Sequence, residues 1–206
     1  MDREKYIELY SSPRIDSYSS IDEHEANFEM LGRIAPKLAK IEIIIRNRID
    51  RKMCEKNRHW IFDLTDSIGL DDDKGRIKEH DILVSRQSFG FWIRVVEHYK
   101  IHSCAFDKEF LDGFSFKKYY EKNKERLNKI PLSNYQKAYG ILLLTKSIRN
   151  RAFHFENLLK LRALGVPRLS VRVDFSKEKF YYFNIKPNMI IQYLDDILQS
   201  FDKELS

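Results

Sequence analysis

Cysteine is scarce in this chain of 206 residues: Cys54 and Cys104 are far apart and match no metal spacing such as C-x2-C. That excludes a disulfide framework and a thiolate zinc finger, and leaves two free thiols of a reducing compartment with no expected metal or other cofactor. Glycine and proline are also few, seven and five, which points away from turn-dense β architectures and towards long helices. Nothing approaches the ~18 continuous apolar residues of a membrane span. The start, Met1-Asp2-Arg3-Glu4-Lys5, is charged with no apolar stretch behind it, unlike a secretory signal. There are no internal repeats and no low-complexity linkers. These absences predict a soluble cytoplasmic protein with no membrane partner, folded as one domain over 1–206.

What is present suits that expectation. Hydrophobic residues make up 43% and aromatics 13%, enough to bury a sizeable core. Lys and Arg number 37 against 31 Asp and Glu, a net charge of +6 that favours an anionic partner where it is clustered.

Along the chain, residues 1–20 read as a short helical or irregular lead broken at Ser11-Ser12-Pro13-Arg14, with Ser19, Ser20 or Asp22 as candidate caps for the next helix. From about Asp22 to Lys56, Leu31, Ile34, Leu38, Ile41, Ile45 and Ile49 recur at three- and four-residue steps, one apolar stripe of a long helix. Pro36 predicts a kink or a split in it. Glu42, Arg46 and Asn47 flank the stripe, and Glu42 with Arg46 has the favourable i,i+4 order for an ion pair. Asp71-Asp72-Asp73 and Gly75 mark a loop without the alternating ligand spacing of a calcium site. A helix is expected over about 74–84 and another from Ser88 to about Lys100, its Phe89, Phe91 and Trp92 read as core. His98 and His102, four apart, have no third metal ligand nearby and read as surface or core histidines. Residues 103–133 read as loop and amphipathic helix. A cap at Ser133-Asn134 opens a helix expected to run from Tyr135 to about Leu164, where Gly165-Val166-Pro167 ends it. The alternating Leu169–Val173 and aromatic Phe180–Phe183 predict a β-hairpin over 168–184, and a last helix is expected over 187–204.

One stretch concentrates chemistry. Arg149-Asn150-Arg151-Ala152-Phe153-His154-Phe155-Glu156 holds two guanidiniums, an amide, an imidazole and a carboxylate. It joins cations that can hold a phosphate to the side-chain type that titrates near neutral pH. On an ideal helix Arg149 and His154 lie about 140° apart and about 7.5 Å along the axis. Arg149 is long enough to bend back, so the expectation is that Arg149, Asn150 and His154 line one groove. From Lys146 to Arg172, seven basic residues (Lys146, Arg149, Arg151, Lys160, Arg162, Arg168, Arg172) face Glu156 alone. An ordinary solvated helix face would mix its signs, so this is the electropositive segment expected of an anion-binding surface.

Several of these pieces, in this order, resemble the Abi-like (abortive infection) proteins of bacteria, an all-helical family within the HEPN superfamily. The lead Ser12–Tyr18 is similar to their S-x-x-R-L-x-x-Y opening. Asn27, with Leu38–Asp50, is similar to their L-E-V-A-L-R-N-R-I helix, and Ser88-Phe89-Gly90-Phe91-Trp92 to S-F-G-F-W. Arg149–Glu156 resembles R-N-R-I-A-H-H-E-P, which carries the R-x4-6-H signature, and Asn184–Asn188 fits the tail. Phe155 stands where many relatives have a second His, and Asn157 replaces a Pro.

The resemblance implies a mainly α, HEPN-like up-and-down helical bundle with a small C-terminal β-hairpin, forming a homodimer whose motifs meet across the interface. It implies a metal-independent endoribonuclease of phage defence, an antiviral toxin with RNA as substrate and an antitoxin or companion RNA as candidate partner. In that reading Arg149, Asn150 and His154 are catalytic, while Arg151, Glu156, Glu42, Arg46 and Asn47 bind RNA or support the site. The alternative is a non-catalytic RNA-binding module of the same kind that holds a structured RNA or a partner. A third alternative is purely structural, with Arg149, Asn150 and Glu42 forming a polar network that fixes the dimer.

Overall fold

The apolar stripe of residues 31–49 forms the spine of the molecule. In a computed structural model, which describes residues 3–64, 68–70, 76–127, 129–176 and 179–205, it lies on helix α3 (Ile21–Cys54). Ser20 caps that helix by accepting from the Glu23 amide at 3.1 Å. Leu31, Ile34, Leu38, Ile41, Ile45 and Ile49 are all buried. Each such side chain contributes roughly 1.5–3 kcal/mol relative to exposure, which is what holds so long a helix in place.

Of the kink or split expected at Pro36, the split is absent: α3 runs through it as one helix. Proline withholds one backbone hydrogen bond, to the carbonyl of Gly32. Both Pro36 and Gly32 face solvent, so water can satisfy that carbonyl. The buried stripe runs on the opposite side through both halves and packs each of them into the core.

Two short helices precede the spine, α1 (Arg3–Tyr10) and α2 (Ser12–Ile15), with the break at Ser11 in the left-handed region at φ 71°. After it come α4 (His80–Arg86) and α5 (Phe89–Tyr99). The expected helix over 74–84 therefore begins later, at His80; the aspartate run 71–73 and Gly75 lie outside the described residues. Ser88 caps α5, and Phe89, Phe91 and Trp92 are buried as core. Lys100 takes a left-handed conformation (φ 56°) and ends α5, so His98 and His102 lie on different helices and lose the one-face geometry of an i,i+4 pair.

Helices α6 (His102–Ala105) and α7 (Lys108–Gly113) and a two-residue hairpin, β1 (Arg126–Leu127) with β2 (Ile130–Pro131), fill the stretch expected to be loop and amphipathic helix. Helix α8 (Asn134–Phe153) starts at Ser133 through a reciprocal capping box with Gln136. The predicted hairpin is present as β3 (Ser170–Ser176) and β4 (Lys179–Asn184), antiparallel with Arg172 opposite Tyr182. A single 3₁₀ turn at Pro187–Met189 leads into α9 (Ile190–Phe201).

Helix α3 packs against α5, α6, α8 and α9, and β3 leans on α8. One apolar cluster runs from Leu31 to Leu198. The close approach of hairpin and helix depends on Gly140: a Cβ there would meet the Phe116 ring at 2.8 Å and the Phe183 ring at 3.0 Å. Those rings stack with centroids 3.9 Å apart. The protein is thus mainly helical with a small antiparallel sheet near its C-terminal end. Among the described residues, no helix is long and apolar enough to cross a membrane.

Candidate nucleic-acid interface

The chemistry-bearing stretch lies at the end of α8, and that end comes earlier than the sequence suggests. The helix stops at Phe153, not near Leu164. His154 is its C-cap, and Phe155 follows in the left-handed conformation (φ 54°). The Phe155 amide donates to the Ala152 carbonyl at 3.0 Å and the Glu156 amide to the Arg151 carbonyl at 2.9 Å. This pair of bonds is a Schellman stop, which usually has glycine at the left-handed position. A bulky residue there costs roughly 1–2 kcal/mol.

The N-terminal lead and α3 hold that turn in place. Arg14 Nη1 donates to the Phe155 carbonyl at 2.7 Å. Asn27, buried on α3, donates to the Glu156 carbonyl at 3.3 Å and accepts from the Leu158 amide at 2.9 Å. Asn157 donates to the Ser17 carbonyl at 3.0 Å. Burial pushes the Glu23 carboxyl up, but hydrogen bonds from Ser19 and Asn157 outweigh it and hold the group below its ordinary value.

The stop divides the stretch between two clefts that share Glu156 as a wall. The first, about 390 Å³, lies between α8 and β3 and is lined by Lys146, Asn150, Arg151, Glu156 and Arg172 among others. The second, about 350 Å³, lies against the lead and is lined by Arg14, His154, Phe155, Glu156 and Arg168 among others. The Glu156 carboxylate accepts from Arg151 at 2.6 Å and from Arg168 at 3.4 Å, so it braces a basic residue of each cleft.

The expectation that Arg149, Asn150 and His154 line one groove is therefore not met within a single chain. Asn150 lies in the first cleft and His154 in the second, because the chain turns at Phe155. Arg149 lines neither. Its Nε donates to Glu42 on α3 at 3.3 Å, and its guanidinium lies 5.2 Å from the centre of the Phe153 ring. A weaker contact of 3.5 Å ties it to the Asn150 side-chain oxygen. The expected partnership of Glu42 with Arg46 is replaced: Glu42 turns to Arg149, and Arg46 Nε donates to Asn47 at 3.3 Å. Glu42 thus supports the stretch from the facing helix, whereas Arg46 and Asn47 bond to each other.

His154 is exposed, and its imidazole has no hydrogen bond or ion pair among the described residues. It faces a cleft with two guanidiniums, of which Arg14 was visible in sequence only as part of the lead. A second histidine was missed altogether. His24 is 1% exposed and is enclosed by the rings of Tyr6, Tyr10, Tyr18 and Phe28. The Tyr6 hydroxyl lies 2.7 Å from its Nδ1. Burial, reinforced by the charge of Arg14 and opposed by Glu25, lowers its pKa. Phe28 also approaches Phe155, with ring centroids 6.4 Å apart.

No protein-family model, curated protein or solved structure matches this chain. What the arrangement can do chemically rests on the side chains themselves. They are two adjoining basic clefts, one exposed imidazole and a carboxylate between them.

Proposed function

We propose that the protein is a metal-independent endoribonuclease of the abortive-infection type, with His154 as its acid–base residue. The observation that carries this reading is an exposed imidazole, unengaged among the described residues, in a cleft with Arg14 and Arg168. In the proposed reaction His154 takes the proton of a ribose 2′-hydroxyl as its oxygen attacks the adjacent phosphorus, or gives a proton to the departing 5′-oxygen. The products are a 2′,3′-cyclic phosphate and a free 5′-hydroxyl. Arg14 and Arg168 stabilise the charge that develops on the phosphorane, the role that the sequence pattern alone would assign to Arg149. Lys146, Arg151 and Arg172, with Asn150 among them, follow the neighbouring phosphates along the first cleft. Arg149, anchored by Glu42, fixes the end of α8.

A homodimer joining two such faces would supply a second His154, so that one imidazole accepts a proton while the other donates. Phe153, Phe155, Leu161 and Leu164 are exposed apolar side chains in and around this turn that such an interface would cover. An antitoxin or a companion RNA is the kind of partner that would hold the activity in check.

A second reading, a non-catalytic module that holds a structured RNA, has one observation of its own. Arg151 and Arg168 are already tied to Glu156, as in a rigid phosphate cradle, while among the described residues no side chain fixes the tautomer of His154. Incubating the purified chain with total bacterial RNA in EDTA, beside His154→Ala, separates the two. Fragments with cyclic phosphate ends from the wild type alone support the nuclease. Intact RNA in both lanes, retained at low salt, supports the holding module.

A further inference from the structure

Outside these clefts, three side chains of different chemistry converge at the far end of the spine. Asp50 and Cys54 are four residues apart on α3, so they leave the same face of the helix. His80, the first residue of α4, meets them from across the connection. Asp50 Oδ1 lies 2.9 Å from His80 Nε2 and 3.8 Å from Cys54 Sγ. Cys54 Sγ lies 3.7 Å from His80 Nε2. All three residues are half-buried.

Hydrogen bonding alone accounts poorly for this triangle. Trp60 Nε1 also donates to Asp50 Oδ1, at 2.8 Å. One oxygen with two lone pairs then faces the indole N–H, the thiol S–H and, in the tautomer protonated at Nε2, the imidazole N–H. The sulfur is equally distant from the oxygen and the nitrogen, as ligand atoms around a common centre are. A tetrahedral zinc ion with ordinary bond lengths sets sulfur about 3.6 Å from a nitrogen or oxygen ligand, and nitrogen about 3.4 Å from oxygen. The two sulfur edges, 3.7 and 3.8 Å, match within about 0.2 Å. The remaining edge, 2.9 Å, is about 0.5 Å short, a gap that a small side-chain rotation opens.

We propose that Asp50, Cys54 and His80 bind one Zn²⁺ ion, with water as the fourth ligand. Thiolate, imidazole and carboxylate together select a borderline-soft ion over Mg²⁺ or Ca²⁺, which take oxygen ligands. The Trp60 N–H keeps the second lone pair of Asp50 Oδ1 and orients the carboxylate from outside, as partners beyond the ligands do in zinc sites. The bound ion fastens the end of α3 to the start of α4. It lies apart from the basic clefts and takes no part in the proposed cleavage.

The test strips the full chain with a chelator and titrates it with Co²⁺, followed by competition with Zn²⁺. The expected result is one equivalent bound, a sulfur-to-cobalt charge-transfer band, and displacement of that band by Zn²⁺. Cys54→Ser abolishes the band, Cys104→Ser leaves it, and His80→Gln weakens Zn²⁺ binding by more than about 100-fold, the upper range for losing a mere outer partner. On the unsubstituted chain, Zn²⁺ shields Cys54 from alkylation and leaves Cys104 unshielded. Absence of the band from the wild type, its persistence in Cys54→Ser, or equal alkylation of Cys54 with and without Zn²⁺ overturns the site.

Discussion

Replacing Gly140 by alanine tests how the hairpin is held against α8, and with it the wall of the first cleft. Alanine is ordinarily better than glycine in a helix by roughly 0.5–1 kcal/mol. At position 140 the new methyl carbon would sit 2.8 Å from the Phe116 ring and 3.0 Å from the Phe183 ring. Both rings are essentially unexposed, at 1% and 0%, so neither can swing into solvent. Relief requires both β4, which carries Phe183, and the 3₁₀ turn Phe116–Lys118 to move away from α8, and overpacking of this kind costs about 1–3 kcal/mol. Gly32→Ala on α3 is the matched control, because a Cβ there meets nothing within 4 Å. It keeps the helix gain without the clash. The expected outcome is that Gly32→Ala melts above the wild type and Gly140→Ala below Gly32→Ala by about 1–3 kcal/mol. In thermal denaturation that difference is roughly 2–12 °C for a chain of this size. Two equal, positive shifts would show that the hairpin does not press on Gly140, and would refute the packing argument. Because Val171 and Arg172 of β3 line the first cleft, Gly140→Ala should also weaken RNA retention, read by filter binding.

Three further outcomes are expected. Arg172→Ala and Lys146→Ala should each lower RNA affinity and reduce the slope of log K against log salt by about 1, read from binding at several salt concentrations. Phe155→Gly should raise stability in denaturant unfolding by up to about 1 kcal/mol, since glycine adopts the left-handed stop without strain; a fall would show that the Phe28 contact outweighs that strain. His24 has a folded-state pKa below its unfolded value, so its contribution is intact above the unfolded value near 6.5 and is lost as pH falls through the folded value. Melting temperature should therefore drop as pH falls below about 6.5 more steeply in wild type than in His24→Phe, and parallel curves would refute the assignment.

The elements that were legible in the sequence were those whose signal is local and repeated. The stripe from Leu31 to Ile49, the cap at Ser133 and the alternation behind β3 and β4 each state their own geometry. The stop of α8 was not legible, because a left-handed C-terminal residue is normally announced by glycine. Here Phe155 takes that place, held by Arg14 and Asn27 from elsewhere in the chain. The partnership of Glu42 shows the same limit: local spacing favoured Arg46, but α8 brings Arg149 to it. Pro36 predicts a kink or a split through its missing amide alone, a rule that takes no account of its place on the solvent side of the stripe, where water can take up the carbonyl it leaves unpaired. The meeting of Asp50 and Cys54 with His80 matches no spacing rule, since His80 stands on another helix, 26 positions beyond Cys54.

The braces on the Phe155 turn span 129 to 141 positions of sequence. Synthesis therefore makes Arg14, Ser17 and Asn27 long before the residues they hold. Helix α3 can wind and await α5 and α6 as they emerge, but the second cleft has no floor until residue 157 has left the ribosome. β3 then completes the first cleft later still, at Arg172. Neither cleft is therefore finished until most of the chain has been made, and the order of translation delays whatever that surface does.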